Sequence, residues 1–262
     1  MEKGYRGKLI TIIILSLLIL LGLIYLKFFA KPSPKPAKPT STPAAETATA
    51  TPEETEEPTP EVTTTPEPTP EIVVDLDSND SINKFVNKSY TIDSGYVPSD
   101  LRKVNVRSNS DQTLRAEAAD ALEKMMGAAL DEGLTLKLLS GYRSYKEQVS
   151  LYNTYLNRYG KAKTATMDAY PGGSEHQLGL AVDLGNVSGK CELITCFVEY
   201  PTYTWLHEHA YEYGYIERYP QGKESITGIM FSPWHFRYVG IEEAKRIHDS
   251  GLTMEEFYGR TQ

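Results

Sequence analysis

Cysteine is almost missing from these 262 residues: Cys191 and Cys196 are the whole supply. Two thiols exclude a scaffold stapled by several disulfides and a zinc site built from several thiolates, so any metal must be held by imidazole and carboxylate. Proline is sparse outside one stretch, since eleven of the sixteen fall between Pro32 and Pro70. Positive charge is in deficit. From Glu71 onward 20 Lys and Arg stand against 27 Asp and Glu, a balance of −7, which argues against phosphate-backbone binding and so against a nucleic-acid partner.

Long hydrophobic runs are absent with one exception. Leu9 to Leu26 is interrupted only by Thr11, Ser16, Gly22 and Tyr25, and Phe28 to Ala30 extend it past Lys27. That is long enough to span hydrocarbon as a helix, and too long for a typical signal-peptide core. An uncleaved anchor is the preferred reading, with cleavage as the alternative. Lys3, Arg6 and Lys8 on one side and Lys27, Lys31, Lys35 and Lys38 on the other give the positive-inside count no winner.

Residues 31–70 are almost wholly Pro, Thr, Glu, Ala and Lys, with Val62 the one aliphatic side chain larger than alanine, and cannot bury enough surface to offset ordering entropy. At roughly 3 Å per residue such a stalk reaches on the order of 100 Å. The expected organisation is a cytoplasmic N-terminus over 1–8, a transmembrane anchor over 9–30, a disordered stalk over 31–70 and one folded domain over 71–262.

Within that domain Leu114, Ala118, Ala121, Leu122, Met125, Ala129 and Leu130 recur at helical spacing, stopped by Gly133. Leu134 to Leu139 reads as a buried strand. Ser144 and Glu147 form a capping box opening a second helix that Gly160 closes. Leu180 to Leu184 reads as a strand, and Trp205 to Tyr213 as a helix ending at Gly214. Tyr215 to Tyr219 and Ile226 to Phe231 read as a hairpin around Pro220 to Lys223, and Trp234 to Val239 as a further strand. Glu242 to His248 and a short helix after Thr253 finish an α+β domain with a small antiparallel sheet and flanking helices. Most of the eighteen tyrosines fit amphipathic packing at the core boundary.

Two segments carry chemistry. Ser174-Glu175-His176-Gln177-Leu178-Gly179-Leu180-Ala181-Val182-Asp183 delivers an imidazole from a polar turn, then places a carboxylate in an aliphatic strand, where burial is expensive unless a cation offsets it. Ser232-Pro233-Trp234-His235-Phe236-Arg237-Tyr238-Val239-Gly240 places His235 and Arg237 on one strand face. Two imidazoles and one carboxylate are a usual catalytic zinc set with one position open.

Together with Ser140-Gly141-Tyr142-Arg143-Ser144-Tyr145-Lys146-Glu147-Gln148, these segments resemble the VanY-type zinc D-alanyl-D-alanine carboxypeptidases and the related L,D-carboxypeptidases that trim bacterial peptidoglycan stem peptides. The resemblance spans roughly Ser140 to Gly240. It implies that family's compact α+β fold, zinc held by His176, Asp183 and His235, a substrate site lined by Arg143 and Gln148, and Ser174 near the attacking water. It also implies peptidoglycan stem peptides as partner and an extracytoplasmic domain, hence a single-pass cell-membrane protein working in the wall. A monomer is expected.

One position departs from the pattern. The family motif reads E-P-W-H, its glutamate handling the proton of the attacking water, and here Ser232 stands in that place. A serine hydroxyl is no base near neutral pH, and such help is commonly worth about 10² to 10⁴ in rate. Glu175, Glu217 and Glu224 are the candidates for a displaced base, Glu217 and Glu224 also reading as solvated charges. The expectation is a slow or unusually assisted carboxypeptidase, with a degenerate zinc-containing peptidoglycan-binding module of the same fold, or a purely structural wall anchor, as alternatives. Arg143 also fits a surface salt bridge with Glu147. His207 and His209 point to different faces of a helix and read as surface, His248 is assigned no function, and a local Cys191–Cys196 disulfide is preferred over two free thiols.

Overall fold

The computed structural model describes residues 74–261, so the expected anchor and stalk lie outside the described residues. Among the described residues no helix is long and apolar enough to cross a membrane. The elements follow in the order β1 (Leu101–Lys103), β2 (Thr113–Arg115), α1 (Ala116–Asp131), β3 (Leu136–Ser140), α2 (Tyr145–Met167), β4 (Ala181–Asn186), α3 (Pro201–His209), β5 (Tyr215–Glu217), α4 (Glu224–Thr227), β6 (His235–Tyr238), α5 (Ile241–Ser250) and α6 (Met254–Tyr258). The α+β expectation holds. β1 and β2 form a ribbon, and the main sheet runs β3-β4-β6-β5 with every pairing antiparallel.

Alternation along the two central strands divides the sheet into a packing face and a chemical face. Val182 and Leu184 of β4 and Phe236 and Tyr238 of β6 join one hydrophobic cluster with Leu138 of β3 and with Ala118, Leu122, Met125 and Ala129 of α1. The helical spacing read from Ala118 onward is thus the stripe that α1 lays on the sheet. Leu114 belongs to β2 instead, where it pairs with Arg102, so the helix starts later than the apolar pattern. The other face of the central strands carries Asp183, His235 and Arg237.

Three local readings change. Ser144 and Glu147 do form the capping box that opens α2, but Gly160 does not close it: φ 76° and ψ 165° there kink the helix, which resumes to Met167. The expected hairpin is absent, because β5 pairs with β6 and the chain between them folds into the short α4 and a loop. Ile229 and Met230 of that loop line a cavity instead of extending the sheet. The helix read over Trp205 to Tyr213 starts at Pro201, a residue suited to a first helical turn, and tightens into a 3₁₀ turn over Ala210–Tyr213.

Candidate metal centre and active site

Register brings the chemical residues together. Asp183 of β4 lies opposite His235 of β6 and, across the other edge, opposite Ser140 of β3. His176 enters from a 3₁₀ turn over Glu175–Leu178, which Gly179 ends before the chain turns into β4. His176 Nε2 stands 3.3 Å from Asp183 Oδ2, and His235 Nδ1 stands 3.0 Å from Asp183 Oδ1. One ligating atom from each of the three lies within 4.8 Å of the others, and all three residues are buried. His176 Nδ1 lies 2.7 Å from Gly141 O, so it donates there and leaves Nε2 free to face its partners. Gly141 must be glycine, since a Cβ would sit 2.7 Å from Thr113 O.

Burial, helped by the nearby Arg143, lowers the pKa of His176 and favours the neutral ring. Burial also works against a charge on His235, but hydrogen bonds with Asp183 and Glu175 outweigh it and raise its pKa. Burial alone would raise Asp183, yet the two imidazoles hold it well below the ordinary carboxylate range. An ionised carboxylate between two imidazoles, in a pocket too dry to leave it uncompensated, fits a divalent cation such as zinc and leaves a position for a further ligand.

Arg143 closes one side. Its backbone N–H donates to His176 O at 3.1 Å. Its Nη1 donates to Gln148 Oε1 and its Nη2 to Ser140 Oγ, both at 2.9 Å, and Nη2 is 3.8 Å from Asp183 Oδ2. The salt bridge to Glu147 is not formed, because Glu147 is spent on the Ser144 cap. Gln148, expected to line the substrate site, lies behind it. The first turn of α2 aims this side chain inward, where it is fully buried and donates to Asp168 Oδ2 at 3.2 Å and to Ala169 O at 2.6 Å. Gln148 therefore braces Arg143 from behind.

A cavity of about 250 Å³ opens over the centre. Arg143, Asp168 and Ser174 line it together with Tyr219, Ser232 and Trp234, and Leu193 and Ile194 also face it. Ser232 stands where the sequence placed it, with its hydroxyl donated to Met230 O at 2.9 Å. The candidates for a displaced base do not serve. Glu175 shares Oε1 between Arg218 Nε at 2.8 Å and Arg237 Nη1 at 2.9 Å, and these guanidinium groups overcome burial to hold its pKa well below the usual range. Glu217 lies opposite Phe236 in the register, on the face away from His235, and pairs with His207 at 2.8 Å. Glu224 is exposed at the start of α4.

A family model described as VanY, D-alanyl-D-alanine carboxypeptidase, matches residues 111–241. The chain belongs to the VanY family. YodJ of Bacillus subtilis (strain 168) is 40% identical over 192 residues, covering 71% of this chain and 70% of its own. The solved LdcB LD-carboxypeptidase superposes with a TM-score of 0.66 at 41% identity, covering 70% of this chain and 88% of that one. A variant of the VanY D,D-pentapeptidase from a VanB-type resistance cassette, in complex with Zn(II), superposes with a TM-score of 0.57 at 34% identity over 66% of this chain and 96% of that one. As a VanY-family member the chain is a carboxypeptidase.

Several residues of this VanY-type site were not read from the sequence. Tyr219 stacks on His235 with ring centroids 5.0 Å apart. Arg218 also pairs with Glu255, both fully buried. Asp168 reaches the cavity, and its signal was a carboxylate at the C-terminal end of a helix, where the dipole disfavours negative charge. Cys191 and Cys196 are bonded, with Cα atoms 5.5 Å apart, and close the loop that carries Leu193 and Ile194. His207 and His209 point to different partners, Glu217 and Glu212.

Proposed function

We propose that this chain is a zinc-dependent carboxypeptidase that removes the terminal D-alanine from peptidoglycan stem peptides. The observation that carries the reading is the convergence of His176, Asp183 and His235 beneath a cavity that also holds Arg143. Bound there, zinc would polarise the scissile carbonyl and make water a nucleophile near neutral pH. Arg143, locked by Gln148 and Ser140, offers a planar fork to the substrate's terminal carboxylate. The apolar Leu193, Ile194 and Trp234 shield the reacting bond from bulk water. We further propose that residues 9–30 anchor the chain in the cell membrane and that residues 31–70 carry the domain into the wall.

Ser232 favours a second reading, a module that binds zinc and stem peptides without turning them over, because its hydroxyl is committed to Met230 O and no carboxylate stands in the motif position. Product mass separates the two. The zinc-loaded chain, incubated with defined tetrapeptide and pentapeptide stems, is expected to release one alanine over a long time course, and the stem that loses it reports L,D or D,D cleavage. Release from neither stem, with release gained by Ser232→Glu, would establish the binding module.

A further inference from the structure

Three carboxylates reach the cavity wall, and they are not equivalent: Asp168, Glu175 and Asp183. Asp183 is part of the donor set. Glu175 is neutralised by Arg218 and Arg237 and is unavailable to a proton near neutrality. Asp168 has no cation within ion-pair distance among the described residues. Its Oδ1 accepts from Ala169 N at 2.9 Å and its Oδ2 from Gln148 Nε2 at 3.2 Å, both neutral donors. It also caps the C-terminal end of α2, where backbone carbonyls point at it. Burial pushes its carboxyl pKa up, against the opposing pull of Arg143 and His176, while Tyr155 and Tyr219 face it as neutral phenols.

Gln148 bridges Asp168 to Arg143, so both sit on one side of the cavity. A peptide whose terminal carboxylate meets Arg143 has its scissile nitrogen two bonds from that carboxylate carbon, within the cavity that Asp168 also lines. We propose that Asp168 is the proton carrier of this site, doing the work that the glutamate does in the E-P-W-H motif. The inference rests on the carboxypeptidase reading. As the oxygen of the attacking water bonds to the scissile carbonyl carbon, one O–H bond breaks and its proton passes to the Asp168 carboxylate. The C–N bond then breaks with its electron pair left on nitrogen, and Asp168 returns the proton there. The second water proton leaves the new carboxyl group for the amine, giving a carboxylate, an ammonium and Asp168 ionised as at the start.

Asp168→Asn in the zinc-loaded full chain tests this. Expected are a fall of about 10² to 10⁴ in kcat, loss of the acidic limb of the pH profile, and unchanged KM and zinc content. Ser232→Glu on that background is expected to restore turnover. Binding supplies a readout that needs no catalysis: a stem peptide with CH₂–NH₂⁺ at the scissile bond should bind D168N at least tenfold more weakly than the unaltered chain. Its neutral ketomethylene counterpart should bind both alike. Equal weakening of both ligands, or a loss confined to KM, would show a positioning role through Gln148 and overturn the proposal. Full kcat with an intact acidic limb would overturn it too. Failure of the unaltered chain to release any terminal residue would refute the carboxypeptidase reading, while the paired ligands would still judge Asp168.

Discussion

Arg218 is a guanidinium with no access to solvent, and its three nitrogens are all engaged: Nη1 and Nη2 donate to Glu255 at 2.7 Å and Nε to Glu175 at 2.8 Å. Removing one partner of such a network leaves charge buried without compensation. Arg218→Met is expected to cost about 3–5 kcal/mol, read as a fall in the urea midpoint at constant slope. A cost within the range of a surface substitution would contradict the burial. Gly141 acts through the imidazole it orients. A methyl group at Gly141→Ala meets Thr113 O and must shift the carbonyl that fixes His176, so zinc affinity, measured by chelator competition, should fall about 10- to 100-fold with the fold retained. Asp183 was legible in the sequence because a carboxylate in an aliphatic strand is chemically out of place, and His176 and His235 were legible through the family motifs that carry them. The hold of Gln148 on Arg143 was not, because it depends on which way the first turn of α2 faces.

At the scale of elements the kink in α2 matters most, since the helix past Gly160 ends at Met167 and delivers Asp168. Sequence alone reads Gly160 as a stop, because glycine after an apolar pattern usually ends a helix. Past the kink the helix runs on to Met167, with Thr164 buried about one turn before the cavity-lining Asp168. The backbone at Gly160 lies in a region open essentially to glycine, and no atom is within 4 Å of where a Cβ would stand. Gly160→Ala should therefore destabilise by backbone strain alone, about 1–3 kcal/mol by denaturant titration, unless the helix straightens. Straightening would keep stability and displace Asp168, so kcat would fall in its place. The hairpin was misread for a related reason. Ile226 to Phe231 is apolar enough for a strand, but its Ile229 and Met230 line the cavity, and apolar content does not say whether a core or a pocket is being lined. The loop closed by Cys191–Cys196 has the same character, holding Leu193 and Ile194 at the cavity although both are substantially exposed. Cys191→Ser with Cys196→Ser is expected to raise KM several-fold for stem peptides with zinc content unchanged.

Across the folded domain tyrosine hydroxyls tie the sheet to the helices. The reading of tyrosines as core-boundary residues is met by these hydroxyls: Tyr215 donates to Ala118 O, Tyr238 to Glu117, Tyr258 to Glu243 and Tyr203 to Glu217. Burial raises the pKa of each of these phenols, and neighbouring carboxylates add to the shift for Tyr238, Tyr258 and Tyr203. Tyr96, whose hydroxyl reaches Asn79 O and Asp80, is pushed up to about 12 by the same causes. A phenol in the unfolded chain ionises near pH 10. Above that pH the folded chain keeps protons that the unfolded chain has lost, so this contribution to stability is complete below pH 10 and falls as pH rises beyond it. The net charge of −8 at neutrality adds self-repulsion in the same direction as further tyrosinates form. An alkaline titration followed at once by tyrosinate absorbance and far-ultraviolet circular dichroism should then show two populations. Exposed phenols ionise first with the dichroism unchanged, and the buried set ionises later, together with its collapse. Ionisation of all the tyrosines near pH 10 with the fold intact would mean that these hydroxyls are not enclosed as described.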